Sequence, residues 1–193
     1  MASPRTRRRT VTEQPGGLRY APDLLTAAEE AGLLREVEGL EFGDVRMRGQ
    51  TAKRTVRHFG WDYEYESWQL VPGDPFPAWL EQVRDRCAAW AELASADSFV
   101  QALVTRYPAG AGIGWHRDAP MFGEPVVGVS LRAPCRMRFQ RRAGDERRSF
   151  ELQLEPRSVY ALSRSARWAW QHSIPATPDL RYSITFRTLR KGS

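Results

Sequence analysis

From Ser98 onward the chain is a succession of short runs rich in Val, Ile, Phe, Tyr and Trp, separated by Gly, Pro and charged turns. This rhythm constrains the fold more than any other feature, because strands so closely spaced, with turn signals between them, pair antiparallel. The runs cover 98–107, 125–131, 135–141, 148–154, 158–163, 167–173 and 181–189. They suit a jelly roll, a double sheet that closes most of its edges. Two helices precede it. Thr26 and Glu29 form a capping box ahead of Leu33, Leu34, Val37 and Leu40, and the helix closes near Gly39. Pro77 suits a first helical turn, with Leu80, Val83, Cys87 and Trp90 at helical spacing over 77–92. The expected fold is mainly β with flanking helices (α+β). A length of 193 residues at 41% hydrophobic fills one core rather than two, so 17–193 reads as a single domain.

Two segments stand apart. Residues 1–16 (MASPRTRRRTVTEQPG) have little apolar content and three consecutive arginines, which reads as a disordered basic arm. Segment 43–70 has strand character but is dense in Arg and aromatics, which reads as a surface hairpin. The net charge of +6 comes from arginine, since Lys53 and Lys191 are the only lysines among 29 basic residues. The forked guanidinium suits phosphate and carboxylate, which fits a polyanionic partner; a GC-rich genome would raise the arginine count equally well. Cys87 and Cys135 are too few for a disulfide framework or a cysteine-rich zinc site. No apolar run approaches the roughly 20 residues that span a bilayer, and no secretory signal opens the chain. The expectation is a cytoplasmic monomer away from membranes.

The three histidines are His58, His116 and His172. In extended backbone His116 and Asp118 point to one side, so an imidazole and a carboxylate can meet one ion. His172 lies in a later strand-like run that a sandwich could bring opposite them. Two His and one carboxylate with open positions form the facial triad of non-haem iron oxygenases, although isolated histidines are more often structural. His116-Arg117-Asp118 also matches a kinase catalytic loop, but that loop needs a following Asn and the chain contains no asparagine. The glycines at 110, 112 and 114 have neither phosphate-loop spacing.

Arg181-Tyr182-Ser183-Ile184-Thr185-Phe186-Arg187 alternates with period two, placing Arg181, Ser183, Thr185 and Arg187 on one face. Facing inward, these arginines would need an anionic ligand, for which a dicarboxylate serves; on an ordinary sheet they would face water. Leu103, Thr105 and Tyr107 alternate likewise before the glycine-rich turn.

The ordered combination RYPAGAGIGWHRD, then WQHSI, then RYSITFR with its arginines six apart, resembles the AlkB family of iron(II) and 2-oxoglutarate dioxygenases. The resemblance covers about 98–190, the expected jelly-roll (double-stranded β-helix) core, and more loosely 50–66 within a nucleotide-recognition lid at about 43–70. It implies that His116, Asp118 and His172 ligate Fe(II). It further implies that Arg181 holds the distal carboxylate of 2-oxoglutarate, supported by Tyr107, while Arg187 lies toward the iron-chelating end. Thr105 and Ser183 stand where relatives commonly carry asparagine, and Ala119-Pro120-Met121-Phe122 follows HxD where repair members often place an acidic residue. Arg54 and Arg57 are candidates for phosphate contacts, and Trp61 and Tyr63 for stacking on a flipped base; a half-buried hairpin would explain the same aromatics.

The resemblance thus implies O2-dependent oxidation of an alkyl group on nucleic acid. Dealkylation of N-alkylated or etheno bases in DNA or RNA is the leading expectation. Wobble-uridine tRNA hydroxylation follows, favoured by the lid and by HRDAPMFGEPVVGVSL, and then protein oxidation. With no room for an RNA-binding or methyltransferase domain, a stand-alone demethylase is expected; a non-catalytic nucleic-acid-binding module is the competing class.

Overall fold

Period-two patterning after Ser98 builds two facing sheets, and the two predicted helices cover the back of the larger one. The computed structural model describes residues 10–47, 49–63 and 70–190. The first half runs β1 (Thr10–Thr12), β2 (Leu18–Ala21), α1 (Ala27–Glu38), β3 (Gly43–Met47), β4 (Gln50–Tyr63), β5 (Leu70–Pro72) and α2 (Ala78–Trp90). A 3-10 turn at Ala96–Ser98 leads into β6 (Phe99–Tyr107), β7 (Ile113–His116), β8 (Phe122–Leu131) and β9 (Cys135–Ala143). The chain ends with β10 (Glu146–Leu154), β11 (Val159–Leu162), α3 (Arg164–Trp168), β12 (Gln171–Ile174) and β13 (Arg181–Leu189). The larger sheet has the order β2-β11-β8-β13-β6-β4-β3, with β5 on β4; the smaller is β1-β10-β9-β12-β7. This is the expected jelly roll with flanking helices.

Alternation along β13 sets the two cores. Tyr182, Ile184 and Phe186 pack with Val37 of α1 and Leu80, Val83 and Cys87 of α2. Arg181, Ser183, Thr185 and Arg187 face the space between the sheets. In that space Met137, Phe139, Leu154, Leu162 and Trp170 form a second cluster. Burying each such side chain contributes about 1.5–3 kcal/mol. The capping box of α1 forms as predicted: Glu29 N–H donates to Thr26 Oγ1 at 3.2 Å, and Thr26 N–H donates to Glu29 Oε2 at 2.7 Å. Pro77 stands at the N-cap of α2, one residue before the helix.

Three expectations need correction. Residues 10–16 of the expected arm are ordered; Met1–Arg9 lie outside the described residues. β1 pairs in parallel with β10, and the Glu13 carboxylate bonds both Arg141 and Arg148, so long-range backbone and ionic contacts order a segment poor in apolar residues. Of the expected strand 167–173, only Gln171 onward is extended. Arg164–Trp168 is a helical turn closed by Ala169 N–H donating to Ser165 O at 2.8 Å, which turns Trp170 fully inward. Finally, the 43–70 hairpin is no surface appendage, because β4 also pairs with β6 and extends the large sheet; residues 64–69 lie outside the described residues. No helix among the described residues is long and apolar enough to cross a membrane.

Candidate active site

A cavity of about 450 Å³ opens between the two sheets. The smaller sheet supplies the histidines. His116 on β7 lies directly across the ladder from His172 on β12, with ring centroids 4.2 Å apart. His172 Nε2 is 3.8 Å from Asp118 Oδ2. His116 Nδ1 donates to the Gly114 carbonyl at 2.9 Å, which leaves its Nε2 as the lone-pair nitrogen. Burial, more than any neighbouring charge, holds both imidazoles below the ordinary histidine range, His172 down to about 3. Burial pushes the Asp118 carboxyl up, yet Arg187 foremost, with the neighbouring imidazoles after it, outweighs burial and leaves the group well below the usual carboxylate range. The three side chains are therefore two neutral imidazoles and one carboxylate at neutral pH.

The larger sheet supplies the cationic wall. Arg187 Nε donates to Asp118 Oδ1 at 2.9 Å, and its Nη1 donates to Gln101 Oε1 at 2.7 Å. Arg181, 0% exposed at the other end of the same face, lies over the Tyr107 ring at 4.8 Å and donates to Ser130 Oγ at 3.1 Å. Its Nε and Nη1 are buried without a partner. A desolvated guanidinium with two idle donors is a site built for a carboxylate. Thr105, Tyr107 and Ser183 line the cavity beside it.

Residues 17–187 match the family model of the 2OG-Fe(II) oxygenase superfamily. The protein is an AlkB-family 2OG-Fe(II) oxygenase. The chain is 30% identical over 181 residues to an Arabidopsis thaliana protein named "Alkylated DNA repair protein ALKBH8 homolog", covering 82% of this chain and 51% of that one. It is 26% identical over 167 residues to the Mus musculus tRNA (carboxymethyluridine(34)-5-O)-methyltransferase ALKBH8, covering 83% of this chain and 24% of that protein. The chain thus spans about half of the length of the first of these relatives and about a quarter of the second. Among solved structures, OsALKBH1 superposes with a TM-score of 0.70 at 17% identity, covering 91% of this chain and 98% of that one. A Pseudomonas putida prolyl-4-hydroxylase does so with 0.63 at 14% identity, covering 90% and 93%. These likenesses speak for the fold.

An AlkB-family dioxygenase uses Fe(II), 2-oxoglutarate and O2. The donor chemistry of the cavity fits that set: His116, His172 and Asp118 would hold the metal, and the idle donors of Arg181 would hold a carboxylate of the co-substrate. No three His, Cys, Asp or Glu side chains among the described residues already converge as a metal cage. Asp118 Oδ1 instead faces Arg187 while Oδ2 faces His172.

The lid residues divide by strand parity. Arg54, Val56 and His58 of β4 line the cavity. Arg57 points the other way, ion-paired with Asp74 and packed over Phe59, and is not part of the cavity wall. Trp61, beyond Gly60 with its φ of 78°, is 38% exposed and is not part of the cavity wall; its carbonyl accepts from Gln101 Nε2 at 2.7 Å. The Tyr63 side chain lies outside the described residues. Sequence reading missed Gln101, Tyr160 and His58 in the wall, and Asp44, Arg46 and Arg117 there with them. Alternation on β4 and β6 carried a signal for His58 and Gln101. It also missed Arg167, 2% exposed, which donates to the carbonyls of Asp118, Ala119, Phe122 and Gly123 at 2.6 to 3.3 Å and holds the segment after HxD.

Proposed function

We propose that this dioxygenase dealkylates N-alkylated or etheno bases in DNA or RNA. The observation that carries the reading is the distribution of charge around the cavity. Arg46, Arg54 and Arg117 border it, with Asp44 as the acid among them, while the neutral His116–His172 pair and Asp118 lie within it. Cationic side chains at an entrance hold phosphates, and a base turned out of its stack can then reach the centre. The name of the Arabidopsis relative supports the same substrate class.

His116, His172 and Asp118 would ligate the iron, Arg181 with Tyr107 would hold the distal carboxylate of 2-oxoglutarate, and Arg187 would fix the Asp118 carboxylate. Bound together, iron, 2-oxoglutarate and O2 supply an oxidant while the co-substrate becomes succinate and carbon dioxide. Oxidation of an N-methyl group gives a hemiaminal that collapses to formaldehyde and the unmodified base.

The test is succinate and formaldehyde release by protein supplied with Fe(II), 2-oxoglutarate and O2. The substrates are oligonucleotides bearing 1-methyladenine, 3-methylcytosine or ethenoadenine, with His116→Ala as control. Formaldehyde from the methylated bases, or glyoxal from the etheno base, absent in the control, supports dealkylation. Succinate release without base repair, or retention of a hydroxylated base, overturns it.

A further inference from the structure

The hairpin of β9 and β10 carries two pairs of directly opposed arginines, and the structure treats them differently. Arg141 faces Arg148 and Arg142 faces Arg147 across the ladder. Like charges directly opposite on a sheet repel and destabilise the pairing. The first pair is relieved, because Glu13 places one carboxylate oxygen on each guanidinium. The second pair, on the opposite face, has no such relief. Arg147 donates to the neutral side chain of Gln140, and no carboxylate among the described residues ion-pairs with Arg142 or Arg147.

This pair lines a second cleft, of about 530 Å³, distinct from the active-site cavity. Trp115, Gln140 and Gln171 share its wall; Asp145 and Glu146 border it at the hairpin turn without bridging the arginines. Trp115 and Gln171 immediately precede His116 and His172, so alternation puts the cleft on the outer face of the same sheet whose inner face carries the two histidines. Gln140 bonds Gln171 at 3.1 Å, tying the arginine pair to the strand that holds His172. Strand β7, which carries Trp115, is the sheet edge. Three strand spacings separate it from β10, or about 14 Å. A chain leaving the cavity past Arg117 and crossing that edge passes Trp115 before it reaches Arg142 and Arg147.

We propose that Arg142 and Arg147 jointly grip one phosphodiester of a single-stranded nucleic acid substrate, a second anchor on the outer face of the smaller sheet. Two forked guanidinium groups opposed across a ladder supply the anion-matching donors that Glu13 satisfies for the other pair. The half-buried indole of Trp115, overlaid by the Arg138 guanidinium at 5.1 Å, lies along the way. The anchor rests on the nucleic-acid reading of the active site and explains how a small domain holds a strand while one base is inside.

The test uses the full chain and a labelled single-stranded 12-mer, followed by fluorescence anisotropy from 50 to 200 mM salt, for the wild type and the double variant Arg142→Gln/Arg147→Gln. Both side chains are exposed and mutually repelling, so the variant should melt no lower than the wild type. Affinity should fall about tenfold at low salt. The slope of log affinity against log salt should shrink by about 0.7, the value of one phosphate on a single strand. Succinate release without nucleic acid should not change. Equal affinities and slopes, with the wild type binding, overturn the anchor alone. A wild type that binds no nucleic acid overturns the anchor together with the proposed function. Binding lost in the variant while methylated oligonucleotides stay unrepaired supports the anchor and overturns dealkylation.

Discussion

Arg187 engages a single oxygen of Asp118 twice, with Nε at 2.9 Å and Nη2 at 2.8 Å, and so leaves the other oxygen turned toward His172. Both side chains are largely buried, and removing one charge strands the other. Asp118→Ala should destabilise the metal-free protein by about 3–5 kcal/mol, beyond its loss of iron binding. Urea denaturation of metal-free protein measures this; a loss below about 1 kcal/mol would show that Arg187 does not depend on Asp118.

Arg181 is the fully buried cation whose idle donors need an anion. Arg181→Met should weaken 2-oxoglutarate binding about 10- to 100-fold, because a charge-assisted hydrogen bond to a carboxylate is worth about 1.5–3 kcal/mol. The variant should not be less stable than the wild type without ligand, since an apolar side chain of similar length relieves the unpaired donors. Calorimetric titration with 2-oxoglutarate, alongside thermal melts with and without it, separates the two effects.

Arg167 works through backbone. Its guanidinium takes four carbonyls in the stretch from Asp118 to Gly123, so Arg167→Ala should cost about 3 kcal/mol or more in stability. Arg167→Lys restores charge without the fork and should recover less than half of that loss. Cobalt(II) titration followed by its visible absorption should show weaker metal affinity in both variants; unchanged affinity would confine Arg167 to folding.

The depressed His172 gives the metal-free protein a pH dependence with a definite sign. Burial first, and then the close approach of His116, carries this imidazole from its ordinary 6.5 down to about 3. Between those values the unfolded chain takes up a proton that the folded one refuses, so stability falls as pH drops from about 6.5 toward 3. Asp118, held below its usual range mainly by Arg187 against the upward push of burial, adds a loss of the same sign below about pH 4. Denaturation midpoints from pH 7.5 to 4 should decline steadily in metal-free protein and less steeply in His172→Phe.

Gly128 tolerates no side chain. A Cβ there would sit 2.3 Å from Cζ of Tyr160, its partner across the β8–β11 ladder and part of the cavity wall. Gly128→Ala should push the ring into the cavity, raising the KM for 2-oxoglutarate and costing about 1–3 kcal/mol of stability. A variant with wild-type KM would show that the ring is displaced elsewhere.

Much of the centre is local in origin and hence legible in the chain itself. Residues two apart on extended backbone share a face, which makes His116 and Asp118 neighbours and gathers Arg181, Ser183, Thr185 and Arg187 on one side of β13 whatever the rest of the fold does. The same rule, carried along β4, separates Arg54 and His58 from Arg57. Which parity faces the cavity is a matter of pairing, because the register of β4 against β6 fixes it and one residue of slip would invert it. Glu13 joining Arg141 to Arg148, Arg167 reaching four carbonyls from a distant turn, and Gln101 linking Arg187 to Trp61 all join residues dozens of positions apart. The sequence by itself determined the chemical groups, their order and their local spacing, since these are covalent and periodic facts. Only the tertiary structure decided which polar groups became buried partners, because desolvation and strand register arise when the two sheets close on each other.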